Sequence, residues 1–139
     1  ALDRHSGQIS FPGGKMEPND DYPIQTAVRE AIEEIGIGDN LEIVGQLSGL
    51  YIPVSGYFVI PVVAIHPHSP TFIIEEKEVA QLLEIEMNLL FKEECKSITD
   101  IKIGSGLILN SVPCYTIHDT IIWGATAMIL AELEWIITQ

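Results

Sequence analysis

The residues Phe11-Pro12-Gly13-Gly14, and after them Asp20-Asp21-Tyr22-Pro23-Ile24-Gln25-Thr26-Ala27-Val28-Arg29-Glu30-Ala31-Ile32-Glu33-Glu34-Ile35-Gly36-Ile37, decide the fold. Ile24, Ala27, Val28, Ala31, Ile32 and Ile35 recur at steps of three and four, which predicts a helix from Tyr22 to Ile35. Asp20 or Asp21 can cap it, Pro23 is tolerated in its first turn, and Gly36 stands where a left-handed residue stops a helix. Just upstream, Gln8-Ile9-Ser10-Phe11 alternates polar and apolar as a short strand does, and Pro12-Gly13-Gly14 breaks it. The expected unit is strand, tight loop, helix.

Working outward, 139 residues and 15.3 kDa suit one domain over residues 1–139. A hydrophobic fraction of 47% and a mean hydropathy of +0.26 mark a folded globule with a real core. Seven Lys and Arg against twenty Asp and Glu give a net charge of −13, a field that repels nucleic acid and anionic lipid. A phosphate ligand would therefore need metal ions and local cations at short range. Cys95 and Cys114 have no CxxC spacing and read as reduced thiols, and the expected setting is the cytoplasm. Ala1-Leu2-Asp3-Arg4-His5 lacks both an initiator Met and the layout of a signal peptide, so upstream sequence is expected to be missing. The apolar tract from Ile121 to Ile137 is interrupted by Glu132 and Glu134, which predicts a buried helix and no membrane span.

Leu41 to Tyr51 and Tyr57 to Ile65 read as two strands about a loop containing Pro53, Ser55 and Gly56, with Pro61 implying an edge or bulge. Glu78 to Glu86 fits strand or helix, and Met87 to Cys95 a short helix. Ile98 to Ile103 and Leu107 to Tyr115 flank the turn Gly104-Ser105-Gly106, which lacks the Lys-Ser/Thr of a phosphate-binding loop. A final helix is expected from about Trp123, with Ala125, Ile129, Leu133, Ile136 and Ile137 in one stripe. These elements add up to an α+β layered domain.

Chemistry concentrates on the first helix, where Glu30, Glu33 and Glu34 fall on one side. Like charges at this spacing repel, so the arrangement invites a hard divalent cation such as Mg²⁺ or Mn²⁺; the plainer reading is a solvated acidic face. Lys15 can meet a phosphate or merely solvent. His66, His68 and His118 have no metal-binding spacing and read as surface loop residues.

The order of residues goes further. Gly14, five residues, Asp20, eight residues, then Arg29-Glu30-Ala31-Ile32-Glu33-Glu34-Ile35-Gly36-Ile37 resembles the Nudix box. That pattern is Gly, five residues, Glu, seven residues, Arg-Glu, an apolar residue, any residue, Glu-Glu, any residue, Gly and an apolar residue. Asp20 in place of Glu and the one-residue-longer spacing resemble the coenzyme A diphosphatases of the superfamily. So does His5-Ser6-Gly7-Gln8-Ile9-Ser10-Phe11-Pro12-Gly13-Gly14, as do Ser55-Gly56-Tyr57 through Pro61-Val62-Val63, Glu78-Val79-Ala80 and Ile122-Trp123-Gly124-Ala125-Thr126-Ala127. That subfamily has Arg two residues before the His, where this chain has Asp3 and then Arg4.

The resemblance implies a Nudix fold, a mixed β-sheet sandwiched between α-helices, and a hydrolase dependent on Mg²⁺ or Mn²⁺. By position, Gly14 (through its carbonyl), Glu30, Glu33 and Glu34 would hold metal, and Glu30, Glu33 and Arg29 would carry catalysis. Arg29 would do so by pairing with Glu33 along the helix. The general base would be Glu30 or one of Glu75, Glu76 and Glu78. His5 and Lys15 would touch substrate, a small molecule and not nucleic acid. The implied reaction cuts the pyrophosphate of coenzyme A or a derivative into 3′,5′-ADP and 4′-phosphopantetheine. The alternatives are another nucleoside diphosphate derivative (NADH, ADP-ribose, a nucleotide sugar) or a non-catalytic nucleotide-binding domain. Assembly is left open, a homodimer being one option.

Overall fold

The computed structural model describes residues 8–37 and 40–139. The first helix, α1 (Pro23–Ile35), starts and stops where its sequence says it should. Pro23 occupies the first turn and Gly36 ends the helix at φ 74°, its N–H donating to the Ile32 carbonyl. The start is not capped as expected: Tyr22 is the N-cap and no side chain caps it, because the Asp20 carboxylate is taken by Arg29 and Thr26 instead. Gly36 has a second reason to be glycine, since a Cβ there would lie 2.9 Å from the Ile73 Cβ. Past this point the chain returns to dock on the end of α1, with Ile73 N–H on the Ile35 carbonyl and Glu75 N–H on the Glu34 carbonyl.

The two long strands expected between residues 41 and 65 are each broken. They become β1 (Glu42–Gln46), β2 (Leu50–Ile52), β3 (Tyr57–Val59) and β4 (Val62–Ile65), paired antiparallel as β1–β4 and β2–β3. Pro61 marks the second break, where its carbonyl accepts the Leu47 N–H, and the bulge of the β1–β4 ladder lies in β1 between Ile43 and Gly45. Residues 8–11 carry no strand, and residues 78–86 form neither strand nor helix.

Beyond residue 86 come α2 (Met87–Leu90), a 3₁₀ turn (Glu93–Cys95), β5 (Lys96–Lys102), β6 (Ile108–Ile117), β7 (Thr120–Trp123) and α3 (Gly124–Ile137). The β5–β6 hairpin closes at Gly104-Ser105-Gly106 as read, and β6 continues through a turn at His118 into β7. The final helix begins at Gly124, next to the expected Trp123, and the residues before it, Thr120–Trp123, complete a three-stranded antiparallel sheet. All ladders among the described residues are antiparallel, the α+β class, with no parallel pair of the kind a mixed sheet contains. No described helix is long and apolar enough to cross a membrane.

By its contacts the chain divides into two compact units, one holding Phe11–Glu84, the other Ile85–Gln139 with residues 8–10. The second owns a core of Leu90, Tyr115, Ile117, Ile122, Ala127 and Leu130, and Ile122 is only 1% exposed. Burying a side chain of that size contributes about 1.5–3 kcal/mol. The stripe expected on α3 is rotated: Thr126, Ala127 and Leu130 are buried while Ile136 and Ile137 are exposed. Thr126 fixes this rotation by donating its hydroxyl to the Ile9 carbonyl, and Glu134 by taking the Tyr115 hydroxyl at 2.9 Å and the Lys96 ammonium.

Burial alone would raise the Glu134 carboxyl, yet the hydrogen bonds from Lys96 and Tyr115 outweigh it and hold its pKa below the ordinary value. Burial, then its hydrogen bond to Glu134, pushes the Tyr115 hydroxyl up to about 12. A depressed carboxylate adds stability that is lost as pH falls through its folded pKa; a raised phenol adds stability that is lost as pH rises from about 10 towards 12. Urea midpoints should therefore fall on the acid side below about pH 5 and on the alkaline side above about pH 10, and Glu134→Gln should make both falls shallower without removing them, since Asp20 also feeds the acid limb and burial of Tyr115 the alkaline one. Gly36→Ala should cost about 1–3 kcal/mol in the same measurement, from its positive φ and its contact with Ile73.

Candidate active site

Glycines 13 and 14 bring the loop after Phe11 onto the flank of α1. The Gly13 N–H donates to Glu34 Oε2 at 3.3 Å. Gly14 lies so close to the Glu30 carboxylate that a Cβ would sit 2.3 Å from Oε1, so a side chain there would displace the carboxylate from its place. The loop is then fastened by Arg29, whose Nη2 donates to the Lys15 carbonyl at 3.1 Å and to Asp20 Oδ2 at 2.8 Å.

Asp20 is the strongest partner of that guanidinium. Its Oδ2 also accepts the Thr26 hydroxyl at 3.0 Å and the Glu17 N–H at 2.8 Å, and its side chain is 9% exposed. The Arg29 hydrogen bond, then the Glu17 N–H, lower its pKa to about 2, so it stays a carboxylate. Arg29 Nη1 reaches Glu30 Oε1 at 3.0 Å, Glu17 at 3.3 Å and Glu33 at 3.8 Å. The expected Arg29–Glu33 pair is thus present as the longest of the four. Arg29 Nε is buried with no partner among the described residues.

Glu30 and Glu34, one helical turn apart, meet Glu78: one carboxylate oxygen from each lies within 4.8 Å of the other two. Glu78 arrives because residues 73–75 hydrogen-bond to the end of α1 and the chain then turns, with the Glu78 and Val79 N–H groups on the Glu75 carbonyl. Of the three downstream candidates, then, Glu78 joins the helix carboxylates. Glu75 Oε1 accepts the Lys77 N–H, and Glu76 is exposed. Glu33, its side chain 54% exposed, stands outside the three, beside Ile24, Val28 and Ile32.

Burial raises the Glu34 pKa first; the Gly13 N–H opposes this, while the Glu30 and Glu78 charges reinforce it. Three oxygen donors of like charge, one of them reluctant to ionise, are the donor set a hard divalent cation takes. Lys15, expected to touch substrate, has its ammonium 5.1 Å from the centroid of the Tyr57 ring. His5, with Asp3 and Arg4, lies outside the described residues. His68 and His118 are exposed and His66 contacts the backbone of His68, so none enters the site.

The family model described as NUDIX domain matches residues 2–94. A protein of Yersinia enterocolitica named uncharacterized Nudix hydrolase NudL is 38% identical over 133 residues, covering 95% of this chain and 67% of its own length. Proteins of the same name from Yersinia pestis and Yersinia pseudotuberculosis are 36% identical over 136 residues, covering 95% of this chain and 65% of theirs. The chain spans about two thirds of the length of the curated relatives it matches. No solved structure matches it.

With three carboxylates facing one another, removing one charge should relieve repulsion. Glu34→Gln, melted in a chelator, should be more stable than the parent by about 0.5–1 kcal/mol. A loss of stability would show that the Gly13 N–H bond to the charged carboxylate outweighs the repulsion.

Proposed function

The chain belongs to the Nudix hydrolase family, and from that premise we propose that it hydrolyses the diphosphate bridge of a nucleoside diphosphate derivative, dependent on Mg²⁺ or Mn²⁺. The observation that carries the reading is the meeting of Glu30, Glu34 and Glu78 beside Gly14. These residues fit a divalent cation: the donors are hard oxygens, among the described residues no Lys or Arg compensates their charges except at Glu30, and the Gly14 backbone closes one side. The cation would be held by Glu30 and Glu34 with the Gly14 carbonyl, with Glu78 beside it; the Glu33 carboxylate, also expected to hold metal, lies outside the three that meet here. A bound cation would offset the diphosphate charge and make water a better nucleophile.

The residues of the chain do the rest. Arg29 keeps the glycine loop against α1, so the distance between the Gly14 backbone and the carboxylates is set before substrate arrives. Glu78, on a turn rather than on the rigid helix, is the carboxylate we assign to take the proton of the attacking water. Lys15 would add a positive charge for the phosphates.

The finer reading of the substrate is coenzyme A or a derivative, cut to 3′,5′-ADP and 4′-phosphopantetheine. Its support is the run from His5 to Gly14 and the longer box spacing. Asp3, where that signature has Arg, favours as second reading a dinucleotide or nucleotide sugar. The same proposal takes residues 1–139 to act as one hydrolase domain in the cytoplasm.

Incubation with Mg²⁺ or Mn²⁺ and, separately, coenzyme A, NADH, ADP-ribose and nucleoside triphosphates should release products from coenzyme A fastest. Loss of residues that merely support metal ligands costs 10–100-fold, so Glu34→Gln or Glu78→Gln should lower kcat by at least about 100-fold with the fold intact by circular dichroism. No metal-dependent cleavage of any of these compounds would overturn the proposal.

A further inference from the structure

Lys15 is peculiar in a chain of charge −13: among the described residues its ammonium pairs with no carboxylate and rests on an aromatic ring. Its backbone is fixed at the carboxylate group, because it follows Gly14, which abuts Glu30, and because its carbonyl is held by Arg29. The ring is fixed as well. Tyr57 opens β3 opposite Ile52, its N–H donates to the Ser55 hydroxyl at 3.2 Å, and Gly56 at φ 75° makes the turn that delivers it. Tyr57 is 48% exposed.

We infer that Tyr57 is a positioning residue for substrate binding: its ring holds the Lys15 ammonium beside the carboxylate group as the counter-charge for an anionic phosphoryl group. The inference rests on the proposed function and deepens it. An ammonium paired with a carboxylate would be neutralised and would have to break that pair to meet phosphate. A ring attracts a cation without cancelling its charge, and gives it up to a phosphate oxygen readily because the ring contact is the weaker one. The carboxylates repel an approaching diphosphate, and Lys15 is, among the described residues, an unpaired positive group whose backbone is anchored next to them. The ligand it would take is a phosphoanhydride whose charge extends beyond the oxygens facing Glu30, Glu34 and Glu78.

The test combines steady-state kinetics on the best-cleaved pyrophosphate with calorimetric binding of the non-hydrolysable α,β-methylene analogue of ADP in Mg²⁺. Lys15→Ala should raise KM and Kd about tenfold and leave kcat within about twofold. Tyr57→Leu should raise both about three- to fivefold, Tyr57→Phe should restore them because the ring face is kept, and Lys15→Ala with Tyr57→Leu should be no worse than Lys15→Ala alone. Additive losses in the double variant, or no change in KM and Kd with Lys15→Ala, would overturn the inference while leaving hydrolysis standing. A parent protein that neither cleaves nor binds would overturn the proposed function and this inference with it.

Discussion

The Arg29 guanidinium is the fastening on which the site depends. In a chain with almost three acidic residues for every basic one, a loop carrying Glu17 and Asp20 would be pushed away from a helix carrying Glu30, Glu33 and Glu34. One cation reverses this by bonding to both sides at once, and its planar fork lets it bind a carbonyl and several carboxylates that a point charge could not all reach. The arrangement has a cost, visible in the buried Nε with no partner among the described residues. Its reward is a division of labour. Arg29 pairs with Asp20 and shares Glu30, while among the described residues no Lys or Arg side chain pairs with Glu34 or Glu78.

The order of Arg29's partners also accounts for the one unusual residue of the box. A side chain one methylene shorter than the family's Glu, with one more residue of spacing, puts Asp20 Oδ2 at the meeting point of Arg29, Thr26 and the Glu17 N–H. The substitution and the longer spacing thus act together, giving the loop a compact acceptor where a helix cap was expected.

What was legible in the sequence had a local cause. The helical period, Pro23 and Gly36 mark α1 within a residue of its observed ends, and the Gly-Ser-Gly turn marks the β5–β6 hairpin, because each signal acts on its own neighbours. The carboxylate group was half legible. On a helical wheel Glu34 lies about 40° from Glu30 to one side and Glu33 about 60° to the other, so all three share a face, yet a third group approaching along the Glu34 edge leaves Glu33 out. That approach comes from residues 73–78, and nothing in Glu75-Glu76-Lys77-Glu78 says which glutamate it delivers. The rotation of α3 was hidden for the same reason: Thr126 is polar, and only its bond to Ile9, 117 residues away, makes it an inward residue.

The return of residues 73–75 to the end of α1 is made by main-chain groups, two N–H donors on two carbonyls that a helix end leaves open. Side-chain identity along Thr71–Lys77 hardly enters that attachment, and Ile73 is itself 72% exposed. Substitution there should accordingly be widely tolerated, with proline at 73 or 75 the exception, since it lacks the hydrogen each position supplies. The carboxylate of Glu78 is thereby hung from an anchorage indifferent to most of the alphabet, which frees this margin of the chain to vary while Glu78 stays in reach of Glu30 and Glu34.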